Sequence, residues 1–279
     1  MPELPEVETV RAGLAPVFEG NQISKVFVGR PNLRFAFPDR FAERLTGAKV
    51  ETLGRRAKYL LFGLSTGETL LSHLGMSGSF LALAPTETRP VNAKSKHDHV
   101  VFEMINGATV IYNDPRRFGF MDLIVTDQLE GSKFLKDLGP EPTGNSLSAD
   151  DIAQKCKRRA GPIKSALLDQ KMIAGLGNIY VCEALFRAKI HPTTRACDLS
   201  LAQIENLVGH IRDIIHQAIL AGGSTLKDFS ATDGELGYFQ HQFEVYGRAT
   251  SPCLATNCTG TIERIVQSGR SSFFCPVCQ

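Results

Sequence analysis

Four cysteines lie in two pairs near the C-terminal end of the chain. Cys253 and Cys258 form the first pair, and Cys275 and Cys278 form the second after sixteen intervening residues. Two pairs at this separation predict a tetrahedral four-thiolate zinc site in which each pair supplies one knuckle. Because four thiolates leave no open coordination position, we expect one structural Zn²⁺ at this site.

The second residue, Pro2, is the strongest candidate for covalent chemistry. If Met1 is removed, the chain begins with a secondary amine whose reference pKa is ~8. A helix that starts directly after it would lower that pKa and leave more free amine for attack. An amine that attacks a sugar C1′ forms an iminium, as a lysine forms a Schiff base, and the adjacent Glu3 could donate or relay a proton. Taken alone, the same residues also fit an ordinary helix lead-in.

Three further features have more than one interpretation. Lys58 ends the basic turn Arg55–Lys58, where a solvated lysine is equally expected. His97 and His99 share one strand face and could bind a metal, but no third ligand is nearby. Asn178 follows a glycine-rich turn and precedes an apolar-periodic helix, so it fits a helix N-cap and a phosphate contact alike.

Hydrophobic periodicity predicts a helix at the N-terminus and short strands after it. Val7, Val10, Leu14 and Val17 recur at helical spacing. Short apolar runs broken by turn residues then extend to about residue 125, which is typical of an antiparallel sandwich or barrel. The strands predicted from these runs are Ile23–Val28, Tyr59–Leu64, Thr69–His73, Ser79–Leu83, Val100–Met104 and Thr109–Tyr112, with a two-residue hairpin turn at Asn106-Gly107.

The second half of the chain is predicted to be helical. Helices are expected at about 148–159, 162–170, 178–187 and 199–221, and two ribbon strands at 261–266 and 271–274. The expected domains are a β-sandwich domain at 1–130, a linker at 131–145, a helical domain at 146–240 and a zinc ribbon at 244–279. The fold class is therefore α+β.

The composition excludes several classes of protein. Apolar residues make up 43% and charged residues 22% of the 279 residues, as in globular proteins, and the net charge is only +2. No apolar run approaches the ~18 residues that a membrane span requires, and the start lacks the features of a secretory signal. Four of the seven cysteines lie in the last 27 residues, which favours a reducing compartment over a disulfide framework.

Several motifs, in their order along the chain, together resemble one known family. They are Pro2-Glu-Leu-Pro-Glu-Val-Glu8, Arg55-Arg-Ala-Lys-Tyr59, His73-Leu-Gly-Met-Ser-Gly78, Lys96-His-Asp-His-Val100, Asp114-Pro-Arg-Arg-Phe-Gly119, Gly175-Leu-Gly-Asn-Ile-Tyr180 and the cysteine tail. The chain closely resembles the bacterial formamidopyrimidine-DNA glycosylase family, also called 8-oxoguanine DNA glycosylases or AP lyases, over essentially its full length. The resemblance implies a helical domain with a helix–two-turn–helix motif.

The resemblance also implies catalytic roles for four residues. Pro2 would attack C1′ of the damaged nucleotide, and Glu3 would assist base loss by protonating the sugar oxygen. Lys58 would contact a phosphate beside the lesion and donate a proton in β-elimination. Arg270, in the zinc ribbon, would bind a lesion phosphate and is assigned to δ-elimination; a guanidinium suits the phosphate role better than proton donation.

A further set of residues would bind DNA by the same resemblance. Met76 would fill the gap left by the everted base, Phe118 would wedge the stack, and Arg116 would bond the orphaned cytosine. By residue type alone, Met76 and Phe118 equally fit a hydrophobic core. The backbone contacts implied are His73, His97, Arg159, Lys164, Asn178 and Tyr246, and the loop 230–238 would close over the everted base.

The expected function is that of a bifunctional DNA glycosylase and AP lyase in base excision repair. Its partner would be double-stranded DNA with an oxidised purine, preferably opposite cytosine, and it would act as a cytoplasmic, nucleoid-associated bacterial monomer. One alternative is the endonuclease VIII branch, which prefers oxidised pyrimidines; Leu4, Met76, Arg116 and Phe118 favour the purine branch. The other is a non-catalytic zinc-ribbon protein that binds damaged DNA and needs no N-terminal amine.

Overall fold

The computed structural model of the chain describes residues 2–86, 96–224 and 237–279. The chain divides into two compact units. The first contains Met1–Lys136 and Ala221–Tyr238, and the second contains Asp137–Leu220 and Phe239–Gln279. In the part of the chain that is described, no helix has the length and apolarity needed to cross a membrane.

Helix α1 (Leu4–Phe18) opens the first unit, as its periodicity predicts. Its apolar stripe is buried, and Phe18 at the C-terminal end is fully buried. The Phe18 ring makes edge contacts with Phe62 at 5.0 Å and with Phe102 at 5.6 Å between ring centroids. Because those two residues belong to different sheets, Phe18 joins both sheets in one core.

Two antiparallel four-stranded sheets follow α1 and confirm the predicted sandwich. Their strands are β1 (Ile23–Val28), β2 (Val50–Arg56), β3 (Tyr59–Leu64), β4 (Glu68–His73), β5 (Ser79–Leu83), β6 (Asp98–Met104), β7 (Thr109–Asn113) and β8 (Phe120–Val125). One sheet has the order β1-β6-β7-β5, and the other has the order β2-β3-β4-β8. All six strands predicted individually are present to within two residues at each end.

Two local details differ from the sequence expectation. The β6–β7 connection spans the four residues 105–108, and within it the Met104 N–H donates to the Ala108 carbonyl at 2.9 Å. Gly107 adopts φ +87 there, so the glycine was correctly read as a hairpin signal although the loop length was wrong. A short helix, α2 (Phe41–Leu45), also interrupts the region in which only strands were expected.

The second unit is helical and ends in a β-hairpin. Its helices are α3 (Ala149–Lys157), α4 (Ile163–Leu167), α5 (Asn178–Arg187) and α6 (Leu201–Leu220), and its strands are β9 (Glu263–Gln267) and β10 (Arg270–Phe274). All four predicted helices and both ribbon strands are confirmed, with shorter ends for three of the helices. The predicted linker, 131–145, contains no helix or strand, while the predicted domain boundaries stay predictions.

Replacing Phe18 with alanine tests its role between the two sheets. We expect Phe18→Ala to lower the free energy of unfolding by about 3–5 kcal/mol, because it leaves a cavity between them. The control Ile105→Ala removes a side chain that is 64% exposed and should cost no more than about 0.5 kcal/mol. Urea unfolding followed by circular dichroism measures both, and equal losses would contradict the placement of Phe18.

Candidate functional site

Pro2 and Glu3 lie at the start of α1, and both are buried. Glu3 is the helix N-cap, with an extended backbone and 2% of its surface exposed. Its backbone N–H donates to Oε2 of Glu6 at 2.8 Å, at the three-residue spacing of a capping box. Pro2 is therefore held next to the positive end of a helix.

Glu6 also fixes the segment that leads into the predicted lesion-covering loop. Its Oε1 accepts hydrogen bonds from the Ser224 backbone N–H at 2.8 Å and from the Ser224 hydroxyl at 2.9 Å. Gly223 has φ +76, a conformation that favours glycine, and a Cβ on it would make a tight contact of 3.1 Å with Glu6 Oε1. Of the predicted loop 230–238, only the last two residues are described.

Lys58 lies in the two-residue turn between β2 and β3 and is 9% exposed. Ala57 has φ +51, and its carbonyl accepts a hydrogen bond from Arg55 Nη1 at 2.9 Å. Arg55 also pairs with Glu8 of α1 at 2.9 Å, with 8% and 20% of the two side chains exposed. The turn that carries Lys58 is thereby tied to the helix that follows Pro2. Arg55 and Arg56 belong to β2, so the turn is shorter than predicted.

His73 ends β4 and stacks on Phe120, with ring centroids 5.4 Å apart. Its Nδ1 accepts the Gly75 backbone N–H at 3.0 Å, so the neutral ring carries its proton on Nε2. Burial, followed by the charges of Lys58 and Arg34, lowers the pKa of His73 to about 4. His73 is therefore a neutral N–H donor at physiological pH.

Met76, Arg116 and Phe118 are brought together in two adjoining segments of the first unit. The Phe118 side chain is 44% exposed, and the Arg116 guanidinium carbon lies 4.9 Å from its ring centroid. Gly75, next to Met76, is so close to the other segment that a Cβ would lie 2.3 Å from the Phe118 carbonyl carbon. The exposure of Phe118 argues against its assignment to the core.

His97 and His99 do not form a metal site with other described residues. Their ring centroids lie 6.5 Å apart, and His99 Nε2 bonds to the Asp114 carbonyl at 2.9 Å. Within the described ranges, the metal-compatible groups of three or more His, Cys, Asp or Glu residues include neither histidine. The alternative in which His97 and His99 bind a metal thus gains no support. The predicted DNA contact of His97 stays a prediction.

Lys164 and Asn178 meet at one carbonyl of the second unit. Lys164 is 1% exposed, and its Nζ donates to the Ser271 carbonyl at 2.9 Å and to the Ser272 hydroxyl at 2.6 Å. Asn178 Nδ2 donates to the same Ser271 carbonyl at 2.9 Å. Asn178 is the first residue of α5 and its N-cap is Gly177, so the predicted cap was wrong by one residue.

The β9–β10 hairpin supported in this way carries Arg270. Arg270 is exposed and begins β10. It follows the turn residues Ser268 and Gly269, whose φ angles are +48 and +75, as in a two-residue type I′ turn. The hairpin therefore presents the Arg270 guanidinium from a defined position beside its tip.

The remaining two predicted contacts also lie in the second unit. Arg159 pairs with Asp169 at 2.7 Å, with 37% and 32% of the side chains exposed. Tyr246 is half-buried against Phe273, with ring centroids 5.1 Å apart, and its backbone N–H donates to Glu183 at 2.8 Å. Both side chains are positioned by protein contacts and reach the surface.

The four cysteines of the tail converge on one point. Their sulfur atoms all lie within 4.8 Å of one another; Cys253 and Cys278 are 3.8 Å apart, and Cys258 and Cys275 are 3.7 Å apart. Tetrahedral Zn–S bonds of about 2.3 Å separate the sulfurs by about 3.8 Å, so the site fits zinc. Gly260 leaves room for the cluster, since a Cβ there would lie 2.6 Å from Cys275 Sγ.

Sequence reasoning missed three buried carboxylates that position these residues: Glu6, Asp114 and Glu183. Glu183 accepts backbone N–H groups from residues 244, 245 and 246 at 2.9, 3.1 and 2.8 Å, while burial raises the pKa of its carboxyl group. Glu6 could have been found from its capping-box spacing to Glu3. Glu183 carries no local signal, because its three partners lie 61 to 63 residues away in the chain, and the bond of Asp114 to Ser77 spans 37 residues.

Three family models match the chain. They are the formamidopyrimidine-DNA glycosylase N-terminal domain at residues 1–121, the formamidopyrimidine-DNA glycosylase H2TH domain at 138–230, and the zinc finger found in FPG and IleRS at 251–279. Formamidopyrimidine-DNA glycosylases of Ruegeria pomeroyi and Roseobacter denitrificans are 57% and 56% identical, each over 100% of both chains.

Solved structures of this family are also similar over nearly the whole chain. A Lactococcus lactis Fpg in complex with abasic-site DNA is 36% identical, with a TM-score of 0.89 and 99% of each chain covered. The MutM (FPG) protein of Thermus thermophilus is 37% identical, with a TM-score of 0.87 and coverage of 100% of this chain and 98% of that one. Together with the cysteine geometry, the zinc-finger match assigns one structural zinc to the tail.

The protonation state of His73 can be measured directly. We expect the His73 ring to stay neutral as the pH falls from 7.5 to 5, because its pKa is about 4 and a lowered histidine pKa favours the neutral form throughout that window. Histidine ring NMR signals of the intact protein, with His73 assigned by a His73→Gln variant, measure this. Protonation near pH 6.5 would contradict the buried, stacked geometry.

Zinc content tests the cysteine site. We expect Cys275→Ser to lose the single zinc ion, since three thiolates bind it far more weakly and its binding energy stabilises the ribbon. The control Cys197→Ser changes a cysteine outside the cluster and should keep one zinc per chain. Elemental analysis of the purified variants decides; a full zinc complement in Cys275→Ser would refute the assignment.

Proposed function

The chain belongs to the formamidopyrimidine-DNA glycosylase family and is a DNA glycosylase of base excision repair, and we propose that it removes oxidised purines through a covalent bond to Pro2. The observation that carries this proposal is the start of α1, where Pro2 and Glu3 are buried and the Glu3 backbone N–H donates to the Glu6 carboxylate. After removal of Met1, the Pro2 nitrogen is a free secondary amine.

Base loss begins when the Pro2 nitrogen attacks C1′ of the damaged nucleotide. A bond forms between nitrogen and C1′, and the glycosidic bond breaks with its electron pair leaving on the base. The Pro2 nitrogen loses its proton and the departing base takes one up. Glu3 then protonates the sugar ring oxygen, the ring opens, and an iminium between Pro2 and C1′ results. The buried setting of Glu3, 2% exposed, suits a carboxyl group that holds and then transfers a proton.

Strand cleavage follows from the acidity of the C2′ proton in the iminium. Loss of that proton expels the 3′ phosphate in β-elimination, and a second, δ-elimination expels the 5′ phosphate. Lys58 contacts a phosphate beside the lesion and transfers a proton in the first step. Arg270 binds a lesion phosphate, which its permanently charged guanidinium does in bidentate geometry. The product is a one-nucleotide gap with a phosphate at each end.

The damaged base must leave the duplex before Pro2 reaches C1′, at a cost of a few kcal/mol. Met76 fills the vacated space, Phe118 wedges the stack, and Arg116 bonds the unpaired cytosine. This assignment makes cytosine the preferred opposing base. The exposure of Phe118 and its stacking with Arg116 support it.

The DNA backbone is bound by residues of both units. His73, as a neutral N–H donor, and His97 serve the first unit, while Arg159, Asn178 and Tyr246 serve the second. Lys164 differs from the rest, because its buried ammonium group already holds the Ser271 carbonyl. We assign Lys164 to the support of the hairpin that carries Arg270. Action as a monomer and association with the nucleoid in the cytoplasm belong to the same proposal.

Neither alternative function gains an observation of its own. The full-length relatives at 57% and 56% identity are formamidopyrimidine-DNA glycosylases, so oxidised purines are the first substrates to test. A non-catalytic binding protein would not need a buried Pro2 beside Glu3.

Borohydride trapping tests the covalent step. Incubation of the Met1-free protein with duplex 8-oxoguanine opposite cytosine and borohydride should give a covalent adduct that peptide mass mapping places at Pro2. The same protein with one extra N-terminal residue should give none, since its Pro2 nitrogen is an amide. An adduct on Lys58, or cleavage by the extended protein, would contradict the mechanism.

Lys58→Gln separates the two chemical steps. We expect it to form the Pro2 adduct but to slow strand cleavage by about a hundredfold, because only the elimination loses its proton-transfer group. Denaturing gel electrophoresis of the cleaved strand, alongside trapping, measures both. Wild-type cleavage by Lys58→Gln would remove Lys58 from the mechanism.

A further inference from the structure

The turn at residues 74–78, which we call the Met76 turn, and the loop at residues 114–119, which we call the Arg116 loop, approach each other closely through their backbones. A Cβ on Gly75 would lie 2.4 Å from the Gly119 nitrogen, and a Cβ on Gly119 would lie 2.7 Å from the His73 carbonyl. Gly75 also has φ +63. Backbone contact at this distance requires glycine on both sides. The two segments therefore have one close-packed arrangement.

Asp114 connects the two segments through a fully buried carboxylate. It is 0% exposed. Its Oδ1 accepts the hydroxyl of Ser77 in the Met76 turn at 2.6 Å, and its Oδ2 accepts the backbone N–H of Gly119 at the far end of the Arg116 loop at 2.9 Å. A charged acceptor makes these hydrogen bonds stronger than neutral ones. The Asp114 carboxylate thus connects the start of the Arg116 loop to the end of that loop at Gly119 and to Ser77 in the Met76 turn.

The Asp114 backbone carbonyl and the Ser77 hydroxyl also hold the Arg116 loop in a strained conformation. Arg117 has φ +57, a left-handed conformation that costs energy for a residue with a Cβ. Its backbone N–H donates to the Asp114 carbonyl at 3.3 Å, and the Arg116 N–H donates to the Ser77 hydroxyl oxygen at 3.2 Å. Without these bonds the loop would relax, and Arg116 and Phe118 would change direction.

We propose that Asp114 is a positioning residue for base eversion: its carboxylate fixes Met76 on one segment relative to Arg116 and Phe118 on the other. This inference rests on the proposed function, in which these three side chains replace the everted base. Three groups that enter one gap in stacked DNA must arrive with a fixed mutual geometry, because misplacement by about 1 Å can cost a hundredfold in rate. Asp114 itself touches neither the substrate nor the reacting atoms.

The test compares a substrate that requires base eversion with one that does not. The first is duplex 8-oxoguanine opposite cytosine or adenine, measured as single-turnover excision. The second is a single-stranded oligonucleotide with a preformed abasic site, measured as borohydride trapping at Pro2. The variants are Asp114→Ala and the milder Ser77→Ala, and the control Asn113→Ala removes a neighbouring side chain whose amide bonds Asp98 at 2.8 Å.

We expect Asp114→Ala and Ser77→Ala to slow excision from the duplex roughly tenfold or more, with weaker preference for cytosine over adenine. Trapping on the single strand should stay within about twofold of wild type, as should both activities of Asn113→Ala. If Asp114→Ala does not fold, Ser77→Ala decides. Wild-type duplex activity in Ser77→Ala, or an equal loss on both substrates, would overturn the proposal. Failure of the wild-type protein to trap either substrate would instead refute the proposed function.

Discussion

The hydrogen bonds of the Glu6 carboxylate are the interaction on which the site depends. One oxygen accepts the Glu3 backbone N–H at 2.8 Å, and the other accepts both donors of Ser224 at 2.8 and 2.9 Å. A free helix start frays, because its first N–H groups lack partners within the helix. Here the proposed nucleophile, Pro2, is the residue directly before the N-cap, Glu3. Its position is therefore only as well defined as the contacts that hold Glu3.

Asp114 and Glu183 are also buried carboxylates that accept backbone hydrogen bonds. Each is buried, and each accepts backbone N–H groups from a segment that carries a proposed DNA contact. A buried carboxylate is costly unless it is fully hydrogen-bonded, which is why burial raises the pKa of Glu183 while its three N–H partners oppose the rise. Carboxylates suit this role because one side chain can accept several backbone donors from irregular segments.

Local sequence signals predicted most of the fold but not the contacts that orient the site. Period-two and helical spacing located the strands and long helices, and cysteine spacing located the zinc site, because these features depend on neighbours in sequence. Helix α2 was missed because five residues carry too little periodicity. Lys164 could not be placed, since its partners Ser271 and Ser272 lie 107 and 108 residues away. The catalytic roles were predicted from the family resemblance, because a proline at position 2 is by itself equally compatible with the ordinary start of a helix.

If Glu6 places the Pro2 amine, the rate of covalent trapping by Met1-free Glu6→Gln must depend on that carboxylate. A glutamine can accept on one side only, so its amide group would face either the Glu3 N–H or the Ser224 N–H. We expect trapping on abasic DNA to slow about tenfold or more. The control Glu43→Gln, whose side chain is 67% exposed, should trap at the wild-type rate. Trapping by Glu6→Gln as fast as by wild type would show that the Glu6 carboxylate does not place the Pro2 amine.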